Sequence, residues 1–231
     1  MIEWITVSRD PQQTTTLENS LAWAHAGRID WKLTIIDGQK HDLFSGYNAG
    51  ARQTSGEILA FVHDDVQFAG SGLTLLQPCE LLGQEQMGFI GAAGSRILTE
   101  EGTWWGGKLS PQETNESCRG MVARPQADGL HWLTWPATSG RFGPVVVVDG
   151  MLLMCHRRTF EKLGGFDETM GGFHFYDVDI TLRAALAGMT NLVLPIPLIH
   201  RSHGNYDDAW EAARRKFVEK HTGVLPIRLQ A

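Results

Sequence analysis

Two short runs of this 231-residue chain gather side chains able to hold a divalent cation. His63-Asp64-Asp65 follows the apolar run Ile58 to Val62, and His200-Arg201-Ser202-His203 follows Leu192 to Ile199. Imidazole nitrogens and carboxylate oxygens together suit Mn2+, Mg2+ or Zn2+, and residue types alone do not choose among them. A His-x-x-His pair by itself is weak evidence; its weight comes from the second cluster at another strand end. A third run, Tyr176-Asp177-Val178-Asp179, opens a helical pattern that closes at Gly188. Positions two apart on a helix face nearly opposite ways, so Asp177 and Asp179 cannot both serve one substrate. Asp179 stands four residues before Arg183, which predicts an intrahelical ion pair and a structural role. Asp177 has no such local partner. It reads either as a helix-terminal carboxylate that merely caps or as an acid or base at a site.

Other chemistries are excluded or unsupported. No glycine pattern matches a Walker loop or a dinucleotide fingerprint, so phosphates would be held through a cation and through Arg or Lys. No nucleophile elbow is present. Cys79, Cys118 and Cys155 are widely and irregularly spaced, which argues against a disulfide framework and a zinc ribbon and fits a reducing compartment. Twenty Lys and Arg against 26 Asp and Glu give a net charge of −6, without the basic surplus of a nucleic-acid binder. The apolar run Val145 to Cys155 is broken by Asp149 and Gly150 and is too short to span a bilayer. Met1 to Ile5 lacks the features of a signal peptide. The expected location is the cytoplasm, free or peripheral to a membrane.

The elements that must position these residues follow from periodicity. Trp4 to Val7 reads as a strand ending at Ser8-Arg9. Thr15 and Glu18 suggest a capping box for a helix with Leu17, Leu21 and Ala24 on one face and Gly27 as its stop. Leu33 to Ile36 is a strand stopped by Asp37-Gly38, Tyr47 to Thr54 a helix, and Ile58 to Val62 a third strand. This alternation predicts βαβ units, an α/β fold with a mostly parallel central sheet flanked by helices, and a ligand site beyond the carboxyl ends of the strands. Ser8/Arg9, Asp37 and His63/Asp64/Asp65 would all stand at that edge. Residues 95 to 143 are rich in Gly and Trp with weak periodicity; Trp104-Trp105, Trp132 and Trp135 fit either an acceptor-binding loop or that loop's own small core. Val145 to Val148 reads as a strand ending at Asp149-Gly150. Leu192 to Ile199 reads as one strand, held to a sheet edge by Pro195 and Pro197. A last amphipathic helix buries Trp210, Ala213 and Phe217.

Several segments together resemble the family 2 glycosyltransferases of the A-type nucleotide-sugar fold, and within them a small bacterial subgroup. They are Phe44-Ser45-Gly46-Tyr47-Asn48-Ala49-Gly50, Gly56 through Phe61-Val62-His63-Asp64-Asp65-Val66, Leu163-Gly164-Gly165-Phe166-Asp167-Glu168, and Phe173-His174-Phe175-Tyr176-Asp177-Val178-Asp179 through Leu182-Arg183. Order and spacing fit over about residues 1 to 205, with 95 to 143 unmatched. The resemblance implies one Rossmann-like domain over residues 1–231, with a nucleotide-binding half to about 95 and an acceptor-binding half from about 96.

Its implied activity is metal-dependent, inverting transfer of a sugar from a nucleotide-diphosphate sugar to an acceptor hydroxyl, with Mn2+ or Mg2+. Ser8 and Asp37 would lie against ribose and base, joined at the nucleotide-sugar site by Arg9, Asn48, His63, Asp64, Asp149 and Gly150. Asp65, His200 and His203 would hold the metal, with His63 in place of the first aspartate of a D-x-D element. Asp177 matches the aspartate of the family's E-D motif and would be the general base, with Tyr176 in place of the acidic residue before it. One carboxylate suffices for this chemistry when the leaving diphosphate is stabilised separately, whereas a glycosidase needs two facing carboxyl groups. A metal-dependent hydrolase or nucleotidyltransferase using His63, Asp65, His200 and His203, and a non-catalytic nucleotide- or glycan-binding module, remain the alternatives.

Overall fold

A computed structural model describes residues 1–71, 73–104, 109–136, 140–202 and 204–229. The chain opens with β1 (Ile2–Ser8), buried along its whole length, and α1 (Pro11–His25). Asp10 caps α1 by accepting from the backbone N–H groups of Gln12 and Gln13, and Pro11 sits where its missing N–H costs nothing. The helix therefore starts before Thr15 and Glu18, and the capping box expected there is not used. Next come β2 (Trp31–Asp37), α2 (Leu43–Gln53), β3 (Ile58–Val62), β4 (Val66–Phe68), α3 (Leu73–Leu82) and β5 (Met87–Gly91).

The stretch of weak periodicity contains β6 (Ala93–Ser95), β7 (Ile97–Leu98), α4 (Pro111–Ser117) and a hairpin of β8 (Cys118–Gln126) and β9 (Gly129–Trp135). It is followed by β10 (Gly143–Val145), β11 (Val147–Val148), β12 (Leu152–His156) and α5 (Arg157–Lys162). The chain closes with α6 (Tyr176–Leu186), β13 (Thr190–Val193), β14 (Leu198–His200), α7 (Asp208–Lys220) and β15 (Ile227–Arg228).

The main sheet runs β10-β13-β5-β12-β3-β1-β2. Its β2-β1-β3 portion is parallel, as the early alternation predicts, while β12 runs antiparallel to both of its neighbours, so the sheet is mixed. Alternation along the central strands splits the core into two faces. Ile5 and Val7, Leu59 and Phe61, and Leu153 and Cys155 pack on one side; Ile2 and Trp4, Ile58, Ala60 and Val62, and Leu152 and Met154 pack on the other. A sheet covered on both faces needs such near-continuous apolar strands.

The second sheet, β11-β6-β8-β14-β4 with β9 on β8, corrects two readings. Val145 to Val148 is not one strand: β10 joins the main sheet and β11 the second. Leu192 to Ile199 likewise divides, because Pro195 and Pro197 deny the ladder two donors. β13 lies inside the main sheet, and β14 between β8 and β4, so neither is an edge strand.

Asp179 faces away from the strand ends. Its fully buried carboxylate meets Arg183 at 2.8 Å, Lys220 at 2.7 Å and His221 at 2.9 Å, tying α6 to α7. Burial alone would raise its pKa, but the bonds from His221, Arg183 and Lys220 outweigh that and hold it low. Removing one partner of such a network strands the others. Asp179→Ala is thus expected to cost about 3–5 kcal/mol, read as a lower urea midpoint; an unchanged midpoint would contradict the structural role.

Candidate active site

The parallel register brings the ends of three strands together: Ser8 pairs with Asp37 across β1 and β2, and Val62 at the end of β3 leads directly into His63. Because β12 is antiparallel to β3, with Leu152 opposite Val62, the loop Asp149-Gly150-Met151 arrives at the same edge. The His63 N–H donates to the Met151 carbonyl there (3.3 Å). β14 pairs antiparallel with β4, His200 opposite Val66, which returns His200 to the turn that carries Asp65.

These elements enclose a cavity of about 750 Å3. Arg9, His63, Asp64, Asp65, Asp149, Gly150, Asp177 and His200 line it. His63, Asp65 and His200 each offer a ligand atom within 4.8 Å of the others, and they are such a group among the described residues. His200 Nε2 is 3.3 Å from Asp65 Oδ1 and 3.3 Å from His63 Nδ1. The other Asp65 oxygen accepts from the Ser202 N–H (3.0 Å). Burial works against the Asp65 charge, but the bond and charge of His200 prevail and its carboxyl titrates low. Burial, and then His200, lower His63 to about 4, so its ring is neutral at neutral pH. An ionised carboxylate with two imidazoles is a mixed nitrogen and oxygen donor set that fits Mn2+ or Zn2+ better than Mg2+, whose ligands are oxygens. His203 lies outside the described residues.

Asp177 sits in the first turn of α6, where its Oδ2 accepts from the Gly150 N–H (2.8 Å). Burial, and then the neighbouring Asp149 carboxylate, push the Asp177 carboxyl up to about 7. A carboxylate with that pKa can take a proton at neutral pH and is a stronger base than an exposed one. Asp64 accepts from the Ser8 hydroxyl, and burial raises its pKa. Arg9 donates to the Gly38 carbonyl (2.6 Å) and its guanidinium lies 5.2 Å from the centre of the Phe173 ring. Asp37 is exposed and is not among the residues that line the cavity; it accepts from the Gln39 N–H and pairs with Lys40.

Asn48 does not join this group. Its amide nitrogen donates to the Phe166 carbonyl and to Glu168, and its oxygen accepts from the Phe166 N–H. With its polar atoms so engaged it fastens α2 to the 166–168 loop, and it is not among the residues that line the cavity.

One contribution was not evident from sequence spacing. Tyr176 lies buried between the His63/Asp65/His200 cluster and the Gly150 loop, its hydroxyl touching His63 and Gly150. Trp104, Trp135, Phe173, Tyr206 and Trp210 form an aromatic wall of the same cavity. Trp132 instead sits on the exposed strand β9 (45% exposed), and Trp105 lies outside the described residues.

A family described as "Glycosyltransferase like family" matches residues 12–221. No curated protein matches the sequence. Solved structures do resemble the fold. The crystal structure of GalNAc-T7 with UDP, GalNAc and Mn2+ superposes with a TM-score of 0.57 at 13% identity, over 95% of this chain and 47% of that one. The mannosyltransferase PcManGT from Pyrobaculum calidifontis, in complex with GDP-Man and Mn2+, gives 0.58 at 13% identity over 95% and 62%. The catalytic domain of Drosophila β1,4-galactosyltransferase 7 with xylobiose gives 0.56 at 13% identity over 92% and 79%. The chain thus spans about half of the first and under two thirds of the second. At this identity the likeness establishes the A-type glycosyltransferase fold. Among the described residues no helix is long and apolar enough to cross a membrane.

Proposed function

The chain belongs to the glycosyltransferase-like family whose profile it matches over residues 12–221, and from that premise we propose that it moves a sugar from a nucleotide-diphosphate sugar to an acceptor hydroxyl with inversion. The observation that carries this reading is the single cavity in which a carboxyl group titrating at about 7 is joined to a three-ligand His/Asp cluster. The join is short. Gly150 donates its N–H to Asp177 and accepts at its carbonyl from Tyr176, which contacts His63.

In this reading His63, Asp65 and His200 hold Mn2+, with His203 as a further candidate. When bound, that ion supplies Lewis-acid stabilisation of the leaving diphosphate. Asp177 removes the acceptor hydroxyl's proton as that oxygen bonds to the anomeric carbon, while the bond to the diphosphate oxygen breaks and its electron pair leaves with the diphosphate. Arg9 and Asp64, with Ser8 and Asp37 at the neighbouring strand ends, contact the nucleotide, and Asp149 and Gly150 border the sugar. The nucleotide-binding half, to about residue 95, supplies the strand ends; the half from about 96 supplies the aromatic wall, whose ring faces suit the apolar face of an acceptor sugar.

Calorimetric titration with UDP, dTDP, GDP and CDP, each with and without Mn2+, tests the donor side. One diphosphate is expected to bind more tightly with the metal. Failure of every nucleotide to bind under both conditions would remove the reading in favour of a binding module, and full-rate donor breakdown without acceptor would favour a hydrolase.

A further inference from the structure

We infer that Tyr176 is a positioning residue that holds His63 in the tautomer protonated at Nε2, so that the bare Nδ1 is turned toward Asp65 and His200. This rests on the proposed cation site only for its purpose, since the proton assignment follows from hydrogen bonding alone.

A phenol has one proton to give. The Tyr176 hydroxyl lies 2.9 Å from the buried Gly150 carbonyl oxygen, which can only accept, and placing the proton there satisfies that carbonyl. The same hydroxyl lies 2.6 Å from His63 Nε2. With the proton placed there, the hydroxyl meets Nε2 as an acceptor and Nε2 carries the hydrogen, the arrangement in which carbonyl, phenol and imidazole are all paired. A neutral imidazole has a single N–H, which leaves Nδ1 as a lone pair. Nδ1 is the atom 3.3 Å from His200 Nε2 and 4.0 Å from Asp65 Oδ1. The opposite tautomer would draw the phenol proton to Nε2 and leave the buried Gly150 carbonyl without that donor.

The phenol cannot swing away to relieve that conflict. Its ring is packed against Phe44, Tyr47 and Phe166, with centroids 6.1, 5.5 and 5.8 Å away. Gly150 is also fixed as glycine, because a Cβ there would overlap the Tyr176 hydroxyl and press on Asp177. The hydroxyl therefore does for His63 what an outer-shell carboxylate does for many metal-binding histidines, selecting the ligating nitrogen, but without adding a charge.

The test needs no turnover. In metal-free wild-type protein, long-range 1H–15N spectra of the imidazoles, with His63 assigned by its loss in His63→Gln, are expected to show Nε2 protonated and Nδ1 bare. In Tyr176→Phe the His63 pattern is expected to move toward a mixture of tautomers. Mn2+ affinity, followed by the resonance signal of the free ion, should fall about 10–100-fold with unchanged circular dichroism. Wild-type His63 protonated at Nδ1 would overturn the inference even if the variant failed to fold. So would an unaltered ring spectrum in a folded Tyr176→Phe. If wild-type protein bound no Mn2+ at all, the cation site would fail while the ring spectrum still decided the tautomer.

Discussion

Asp177→Asn is expected to lower the rate of sugar transfer by about 10²–10⁴-fold, the range a positioned general base contributes, while leaving nucleotide affinity nearly unchanged. The amide oxygen can still accept from the Gly150 N–H, so the loop keeps its anchor. In the wild-type protein kcat/KM should rise with pH through an acid limb near pH 7, as the carboxyl loses its proton. Stability supplies a second readout with a definite sign. The folded-state pKa lies above the unfolded one, so the folded protein binds the proton more tightly, and stability falls as pH rises from about 4 to about 7. That loss is up to about 4 kcal/mol, and asparagine, being neutral throughout, escapes it. Asp177→Asn should therefore melt higher than wild type at about pH 8, with the difference shrinking toward about pH 4. A mere cap would behave oppositely, melting lower at every pH. Equal loss of nucleotide binding and transfer, or a lower melting point throughout, would count against the base.

Asp65→Ala should abolish the effect of Mn2+ on nucleotide binding. The carboxylate is the one anionic member of the cluster, and its two oxygens already face His200 and the Ser202 N–H. Without it two imidazoles remain, one kept neutral by burial and its neighbour. Outer-shell losses alone cost metal sites about 10–100-fold in affinity, so loss of a ligand should cost at least about 100-fold. Calorimetry with the preferred diphosphate, at matched Mn2+ concentrations, should give the variant the metal-free affinity of wild type. A Mn2+ response as large as that of wild type would defeat the assignment.

Legibility followed the range of the interactions involved. Local signals were read well where the cause was local: the β-α-β start, the ion pair four residues apart in α6, and the apolar face of α7. Helix starts were less legible. The Thr15–Glu18 pattern is a sound cap on paper, but Asp10 and Pro11 offer an earlier one and prevail. The split of Leu192 to Ile199 between two sheets depends on partner strands remote in sequence. Asn48 belongs to a segment that resembles a nucleotide-sugar enzyme, yet which polar group its amide meets is settled by packing against residues 166–168.

By itself the sequence determined the α/β alternation, the edge at which the polar strand ends gather, and the carboxylates and imidazoles available for chemistry. Periodicity and hydrogen-bonding capacity belong to residue type and neighbour spacing, so they survive without coordinates. Only the tertiary structure decided that His63, Asp65 and His200 converge, that Asp177 is buried enough to titrate near neutrality, and that Tyr176 reaches His63 across 113 residues. Those are properties of distance and desolvation, and they arise only when the antiparallel strands β12 and β14 carry their loops back to the carboxyl edge of β3.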